Sequence, residues 1–473
     1  MPSAPPTPEA SLHRQLRLRD LVLTQVLCVV GSSWVGIAAG LGRAQALTWS
    51  AAMVLFYLPM AVSVIYLNRE MPLEGGLYVW ARTAFGDLGG FMTAWNLWFY
   101  GVAITATILY PIPTELSYLI GPSATWLPEN HLGSFAIVAV VVLAITAAAV
   151  RGLELGKWIH NIGGISILAV YCTLIILPFW AMARHQPIHY EPLPLQLPQP
   201  NMVSLALFGQ MLFGALCGLE YIAILAGESK DAARSIGQSV IFASPMICAM
   251  FIAGTSSVLA FSRGQIDFIA PIPQTLRNAL GNNGPTNSLA NLFAMVAILL
   301  LQFRLIAAAS FIFTGVTRLP MAAGWDHLIP AWFTRLHPRY RTPINSVAFT
   351  CALVLLLLFL TNIGVHAQEA FQVLTNASIT HYELSYLAMF AIPLVGAKAL
   401  RTRLPRWLRW TSIAGFTATL FSFIISAYPF VDVVNPRAYA AKILGTTLLS
   451  NIIGYTFYRT RNRAAVTNSV SSF

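Results

Sequence analysis

Two glycine-bearing stretches, each inside a long apolar run, hold the groups from which a site for a small polar solute can be made. The first to consider is residues 202–229, MVSLALFGQMLFGALCGLEYIAILAGES, whose middle carries Gly214, Gly218 and Glu220. At more than about 20 apolar residues it can cross a bilayer as a helix. Glycine weakens a helix interior by about 1 kcal/mol relative to alanine. A charge near mid-membrane costs at least about 2.5 kcal/mol on insertion scales. A helix broken where a solute binds carries both features, because free backbone groups are tolerated at that depth only where they line a cavity. Close helix packing at the glycines, with Glu220 paired to a buried base, would give the same residues for a structural reason. The second stretch is Val30-Gly31-Ser32-Ser33-Trp34-Val35-Gly36. A non-helical turn there would free N–H groups that can meet a carboxylate, helped by the dipole of the following half-helix.

Other polar side chains fall at similar depth. Arg304, in Leu301-Gln302-Phe303-Arg304-Leu305, lies too far inside its run to reach water easily. Asn376, Ser378, Thr380, His381, Glu383 and Ser385 form a polar strip in one membrane-length run. Helical spacing puts Asn376, Thr380 and Glu383 roughly on one face. Such a strip serves either a transport path or hydrogen bonds between helices, and His381 reads either as a structural histidine or as a proton relay. Trp95, Asn96, Trp98, Phe99 and Tyr100 cluster in the third run, where aromatic faces either stack on a solute or pack among helices. Glu115, near the outer end of that run, reads as solvated or interfacial. No HExxH, GxSxG or paired-carboxylate pattern occurs, so nothing points to an enzyme. The five cysteines, Cys28, Cys172, Cys217, Cys248 and Cys351, show no metal spacing and no CxxC. Neither a metal nor a cofactor is expected.

The elements that must position these groups are membrane helices. Of 473 residues, 57% are hydrophobic and 10% charged, against about 25% charged in soluble domains. Apolar runs fall near 21–42, 46–67, 88–111, 132–150, 158–181, 202–227, 237–261, 288–316, 344–363, 370–396, 409–430 and 437–458, which makes twelve spans. The N-terminus is Pro-rich and then basic, and the first run is too long for a cleavable signal peptide. With the N-terminus inside, only Arg43, Arg184, Arg263, Arg277, Arg437 and Lys442 of the Lys and Arg residues lie on the outer side. The net charge of +11 therefore reads as topology with both termini cytoplasmic, not as nucleic-acid binding. The outer segment 182–201, rich in proline, should be extended, and the inner segment 317–341 can lie among anionic headgroups. Two interruptions, one opening each group of five spans, point to an inverted-repeat transporter with its site between the halves.

Four stretches resemble the amino acid–polyamine–organocation superfamily. They are Gly31-Ser32-Ser33; the run from Pro72-Leu73-Glu74-Gly75-Gly76 to Ala84-Phe85-Gly86; Gly218-Leu219-Glu220 with Ala226-Gly227-Glu228-Ser229-Lys230; and Arg318 to Pro330 with Arg341-Thr342-Pro343. Their order and topology together are specific, over roughly residues 15–460. The resemblance implies a five-plus-five inverted repeat with two added spans, and secondary transport of amino acids or related amines. The run from Glu74 to Leu109-Tyr110-Pro111 is most similar to the polyamine symporter branch. That branch has an acidic residue where this chain has Ala106 and Thr107, which argues against a polyamine.

The resulting expectation is an all-α polytopic membrane protein. Cytoplasmic tails (1–19 and 459–473) flank a transporter core of residues 20–396, with spans one to five over 20–181 and spans six to ten over 202–396, followed by two extra spans over 397–458. Spans one and six are broken. Substrate would be held by Gly31, Ser32, Ser33, Gly36, Trp95, Ala215, Cys217 and Gly218. Glu220, Arg304 and Glu383 would couple or gate, with Glu220 and Arg304 in one polar cluster. The partners expected are an amino acid or amine, a proton and membrane lipid, in an inner membrane. An antiporter, a polyamine carrier or a non-transporting nutrient sensor are the alternatives.

Overall fold

The computed structural model describes residues 18–70, 76–219, 232–262, 264–281, 288–322, 329–340, 342–361, 365–395 and 405–470. It is all helical, with no strand among the described residues. The first apolar run forms two helices, α1 (Leu18–Val29) and α2 (Ser32–Ala39), bent by 51°. α3 (Gly42–Glu70) follows, then α4 (Leu77–Leu109) and its continuation α5 (Ile112–Ile120). α6 (His131–Arg151) and α7 (Leu153–Ala183) complete the first half. The second half opens with α8 (Met202–Gly214), then α9 (Ala232–Phe261), the short α10 (Pro271–Leu276) and α11 (Ser288–Ala322). α12 (Ile344–Thr361), α13 (Ala367–Val395), α14 (Arg406–Ile425) and α15 (Pro436–Val470) follow.

Eight of these helices are long and apolar enough to cross a membrane, and nine if the bent α1–α2 pair is one span. α13 is long enough but falls outside that set. Its polar strip is nonetheless fully enclosed: Asn376, Ser378, Thr380, His381, Glu383 and Ser385 have no exposed surface. A strip this polar cannot face lipid, so it must find protein partners.

Asn376, Thr380 and His381 find them on or beside the last two helices. Asn376 Nδ2 donates to Ser426 O (2.7 Å) and to the Tyr439 hydroxyl (2.7 Å). Thr380 and Thr447 share a hydroxyl bond of 2.8 Å. His381 stacks on Phe99 at 4.1 Å, bonds Ala377 O through Nδ1 at 2.7 Å, and bonds Ser450 Oγ through Nε2. The structural reading of His381 is the one this geometry supports. Asn96 of α4 and Asn451 of α15 exchange amide bonds at 2.7 and 3.0 Å. Asn96→Leu strands the partner amide and is expected to cost about 1 kcal/mol. Adding Asn451→Leu should recover part of that loss in a thermal melt, and strictly additive losses would contradict the pairing.

α13 also makes the most extensive contact of the fold, against α4. There Tyr100 and Tyr382 stack with ring centroids 3.7 Å apart. Phe213, Phe56 and Tyr386 extend this aromatic core toward α8 and α3. α1 is held by α9 and α7, and α7 by α11. The break between α1 and α2 is thereby surrounded by the long helices of both halves.

Candidate functional site

At the first break Gly31 is extended (φ −106°, ψ 152°) between the two half-helices. Two carbonyls around the break accept from side chains. Arg304 Nη2, from α11, donates to Leu27 O at 3.1 Å, and the Tyr171 hydroxyl, from α7, donates to Gly31 O at 2.9 Å. Arg304 is 5% exposed, so its charge is spent at the carbonyl end of α1, where a cation is favoured by the helix dipole. On the other side of the break the situation reverses. Among the described residues no hydrogen bond leaves the N–H of Gly31, Ser32 or Ser33. The first turn of α2 thus presents donors to an anion.

The second break lies across from the first. α8 ends in a wide turn at Gln210–Gly214, and Ala215 to Gly218 leave the helix. Gly218 has φ +110°, a backbone that side-chain-bearing residues rarely adopt. Its N–H points to the Tyr386 hydroxyl at 3.3 Å. Cys217 N–H bonds Phe213 O at 3.2 Å, and its thiol leans on Gly214 O at 3.6 Å. Trp34 joins the breaks. A Cβ placed on Gly31 would stand 2.7 Å from Trp34 Cδ1, and one on Gly214 would stand 2.8 Å from the far edge of the same ring. Ile379 of α13 closes on Gly214 from another side, also at 2.8 Å.

Behind the first break lies a buried polar cluster. Glu115 of α5 is fully buried, which corrects the solvated position read from sequence. The chain turns at Tyr110-Pro111 between α4 and α5 and carries Glu115 inward instead of out to the headgroups. Its Oε1 accepts from Ser32 Oγ at 3.4 Å and its Oε2 from Gln302 Nε2 at 2.9 Å. Arg304 lies within electrostatic range of it.

Gly31, Ser32, Ala215, Cys217 and Gly218 therefore come to the facing breaks. Ser33 joins them but turns its hydroxyl to Ile269 O (3.3 Å) in the segment before α10. Gly36 faces α10, where a Cβ would meet Pro271 at 2.8 Å. That segment is pinned by Asp267, which accepts from the N–H groups of Ile269 and Ala270 and from the Tyr118 hydroxyl. Burial pushes the Asp267 carboxyl above the usual range, and these donors oppose the shift. Trp95 lies elsewhere: its Nε1 donates to Ser450 O at 3.0 Å and its ring packs on Trp98 and Phe457. The packing alternative fits it, not solute stacking. Glu383 is fully buried toward α14, beside Ser422, and neither of its oxygens has a hydrogen bond of ordinary geometry among the described residues. Glu220 lies outside the described residues, as do Glu74 and Glu228.

Sequence reasoning missed Trp34, Tyr171 and Gln302 as site residues. Trp34 was visible beside the glycine–serine run, and Gln302 two residues before Arg304. Tyr171 stands in an apolar run with no such signal.

Among the described residues the arrangement places backbone donors and an indole between the α1–α2 break and the end of α8, with no nucleophile and base in contact. Residues 21–454 match the family model described as amino acid permease. This chain belongs to the amino acid permease family. As a permease it is a transporter and not an enzyme, and a multi-pass membrane protein. It is 27% identical over 416 residues to an uncharacterized transporter of Legionella pneumophila, covering 85% of this chain and 84% of that one. It is 24% identical over 368 residues to the branched-chain amino acid permease of Bacillus subtilis, covering 72% and 73%. It is 24% identical over 412 residues to the methylthioribose transporter of Bacillus subtilis, covering 81% and 85%.

Proposed function

We propose that this permease is a proton-coupled secondary transporter of a neutral amino acid, working by alternating access in the inner membrane with both termini cytoplasmic. The observation that carries the reading is the pair of facing breaks joined by Trp34. The substrate carboxylate would sit on the N–H groups at Gly31 to Ser33, and its ammonium on carbonyls near Ala215 to Gly218. Trp34, Ile379, Ala215 and Cys217 leave an apolar surface for the side chain. That surface suits an aliphatic substrate, and one relative is named as a branched-chain amino acid permease.

On this reading the twelve apolar runs are twelve spans arranged as a five-plus-five inverted repeat with two added. α14 and α15 are then the added spans, and the bonds from α13 to Ser426, Tyr439, Thr447 and Ser450 are how they attach. Arg304, with Glu220 and Glu383, would couple or gate. Arg304 would hold the end of α1 with a fixed charge, so that no dissolved metal cation is required there. The test is uptake of a panel of labelled amino acids into liposomes holding the purified protein, with and without an inward proton gradient. Accumulation of aliphatic amino acids above equilibration only when the gradient is present is the expected result. Equilibration without accumulation, or no uptake of any amino acid, would overturn the reading.

A further inference from the structure

Glu115 belongs to no element of the site read from sequence, yet it ties its own helix to two others, α2 and α11. Ser32, which donates to it, is the first residue of α2, the helix whose N–H groups face the break. Gln302 and the nearby Arg304 belong to α11. Glu115 itself rides on α5, whose flanking residues Thr114, Ser117 and Tyr118 line a cavity of about 540 Å³ that also reaches Glu129, Asp267 and Arg277. That cavity reaches the helix turn carrying the carboxyl, while Glu115 itself stays fully buried.

We propose that Glu115 is the group that takes up the transported proton, and that the substrate carboxylate drives the uptake by arriving beside it at Ser32. The inference rests on the substrate orientation proposed above. Two carboxylates served by one hydroxyl and one helix N-terminus repel, and the pair relaxes when one of them is protonated. The proton comes from water and ends on a Glu115 oxygen; the substrate carboxylate keeps its charge for the N–H groups of α2. Among the described residues, the other charged groups facing Glu115 are Arg304 on α11 and Asp267 in the segment before α10. Arg304 is already committed to Leu27 O, so a single fixed positive charge serves what would become two carboxylates. Tyr171, on α7, faces Arg304 and Gly31 O, and Ser32 and Gln302 add no charge. On release of the substrate the repulsion is gone and Glu115 returns its proton to water. Substrate and proton thus cross together, because neither is held well without the other.

Linkage fixes the sign. If binding takes up a proton, substrate affinity must rise as pH falls. The experiment measures substrate binding by calorimetry, with proton release or uptake read from buffers of different ionisation enthalpy, on the full-length protein in detergent. The wild-type protein should take up about one proton per substrate, with affinity changing up to tenfold per pH unit across the responsive range. Glu115→Gln should bind substrate with no proton uptake and a flat pH profile. In liposomes it should equilibrate substrate but lose accumulation driven by the proton gradient. Proton uptake that persists in Glu115→Gln, or wild-type binding with no proton uptake, overturns the inference while leaving the transporter reading standing. Failure of the wild-type protein to bind or move any amino acid overturns the proposed substrate class instead. If Glu115→Gln does not fold, Gln302→Leu decides. It removes a donor to the ionised carboxylate and should move the binding-versus-pH curve to higher pH by at least half a unit. No displacement of that curve also overturns the inference.

Discussion

Gly218→Val is expected to abolish uptake while the protein still inserts and folds. Gly218 has φ +110° and, among the described residues, no heavy atom within 4 Å of where a Cβ would stand. The effect expected from that geometry acts through the backbone. A non-glycine residue held in such a region costs about 1–3 kcal/mol, and a β-branched one is the worst case. The chain can escape that cost by turning the Gly218 peptide, which removes its N–H from the Tyr386 hydroxyl and closes the second break. Gly31→Val should also abolish uptake, but for a different reason. Gly31 has an ordinary extended backbone, and the obstacle is Trp34, 2.7 Å from a new Cβ. The two variants should separate in the background of Trp34→Ala. The thermal stability lost in Gly31→Val should be recovered there, and that lost in Gly218→Val should not. Near-normal uptake by Gly218→Val would show that the second break is not part of the site.

Arg304→Met should be the most damaging substitution of a charged residue. Arg304 is 5% exposed, donates to Leu27 O, and lies near the fully buried Glu115. Removing one of two opposite buried charges leaves the other uncompensated, a loss on the order of 3 kcal/mol. It also frees the carbonyl end of α1. Uptake should fall at least a hundredfold. Arg304→Lys keeps the charge with a single compact donor group and should retain part of the activity. Arg304→Met combined with Glu115→Gln should be more stable than the sum of the single losses predicts, because no lone charge remains. The same cycle with Glu220→Gln tests the partner that sequence reasoning assigned to Arg304. Additive losses with both carboxylates would mean that Arg304 serves the Leu27 carbonyl alone.

The helical class was legible in the sequence because long apolar runs with few charges have only one stable form in a bilayer. The first break was legible for a related reason: Gly31-Ser32-Ser33 is costly in a plain spanning helix, and the chain leaves helical geometry at Val30 and Gly31. In the sixth run the chain leaves the helix at Ala215 to Gly218, and its continuation lies outside the described residues. The fates of individual polar residues were not. Periodicity placed Asn376, Thr380 and Glu383 on one face of α13, but it could not say that α14 and α15 would cover that face. Trp95 looked like a stacking platform because its ring type suits one; its partner, Ser450 O, is 355 residues away. Glu115 is the plainest case. Its distance from the end of an apolar run suggested water, whereas the turn at Pro111 sends it inward to Ser32 and Gln302. A helix bend at proline alters which side chains face the core, and linear spacing does not report it.

On the proposed function, substrate binds between the two breaks. Cys217 lies in the second break and is 7% exposed. It should be the reporter in a protein whose other cysteines, Cys28, Cys172, Cys248 and Cys351, are replaced by serine or alanine. Alkylation of Cys217 by a small membrane-permeant reagent should slow at least threefold when a transported amino acid is present at saturation. It should be unaffected by an amino acid that is not transported. An alkylation rate unchanged by saturating substrate, in protein that still transports it, would place the substrate elsewhere.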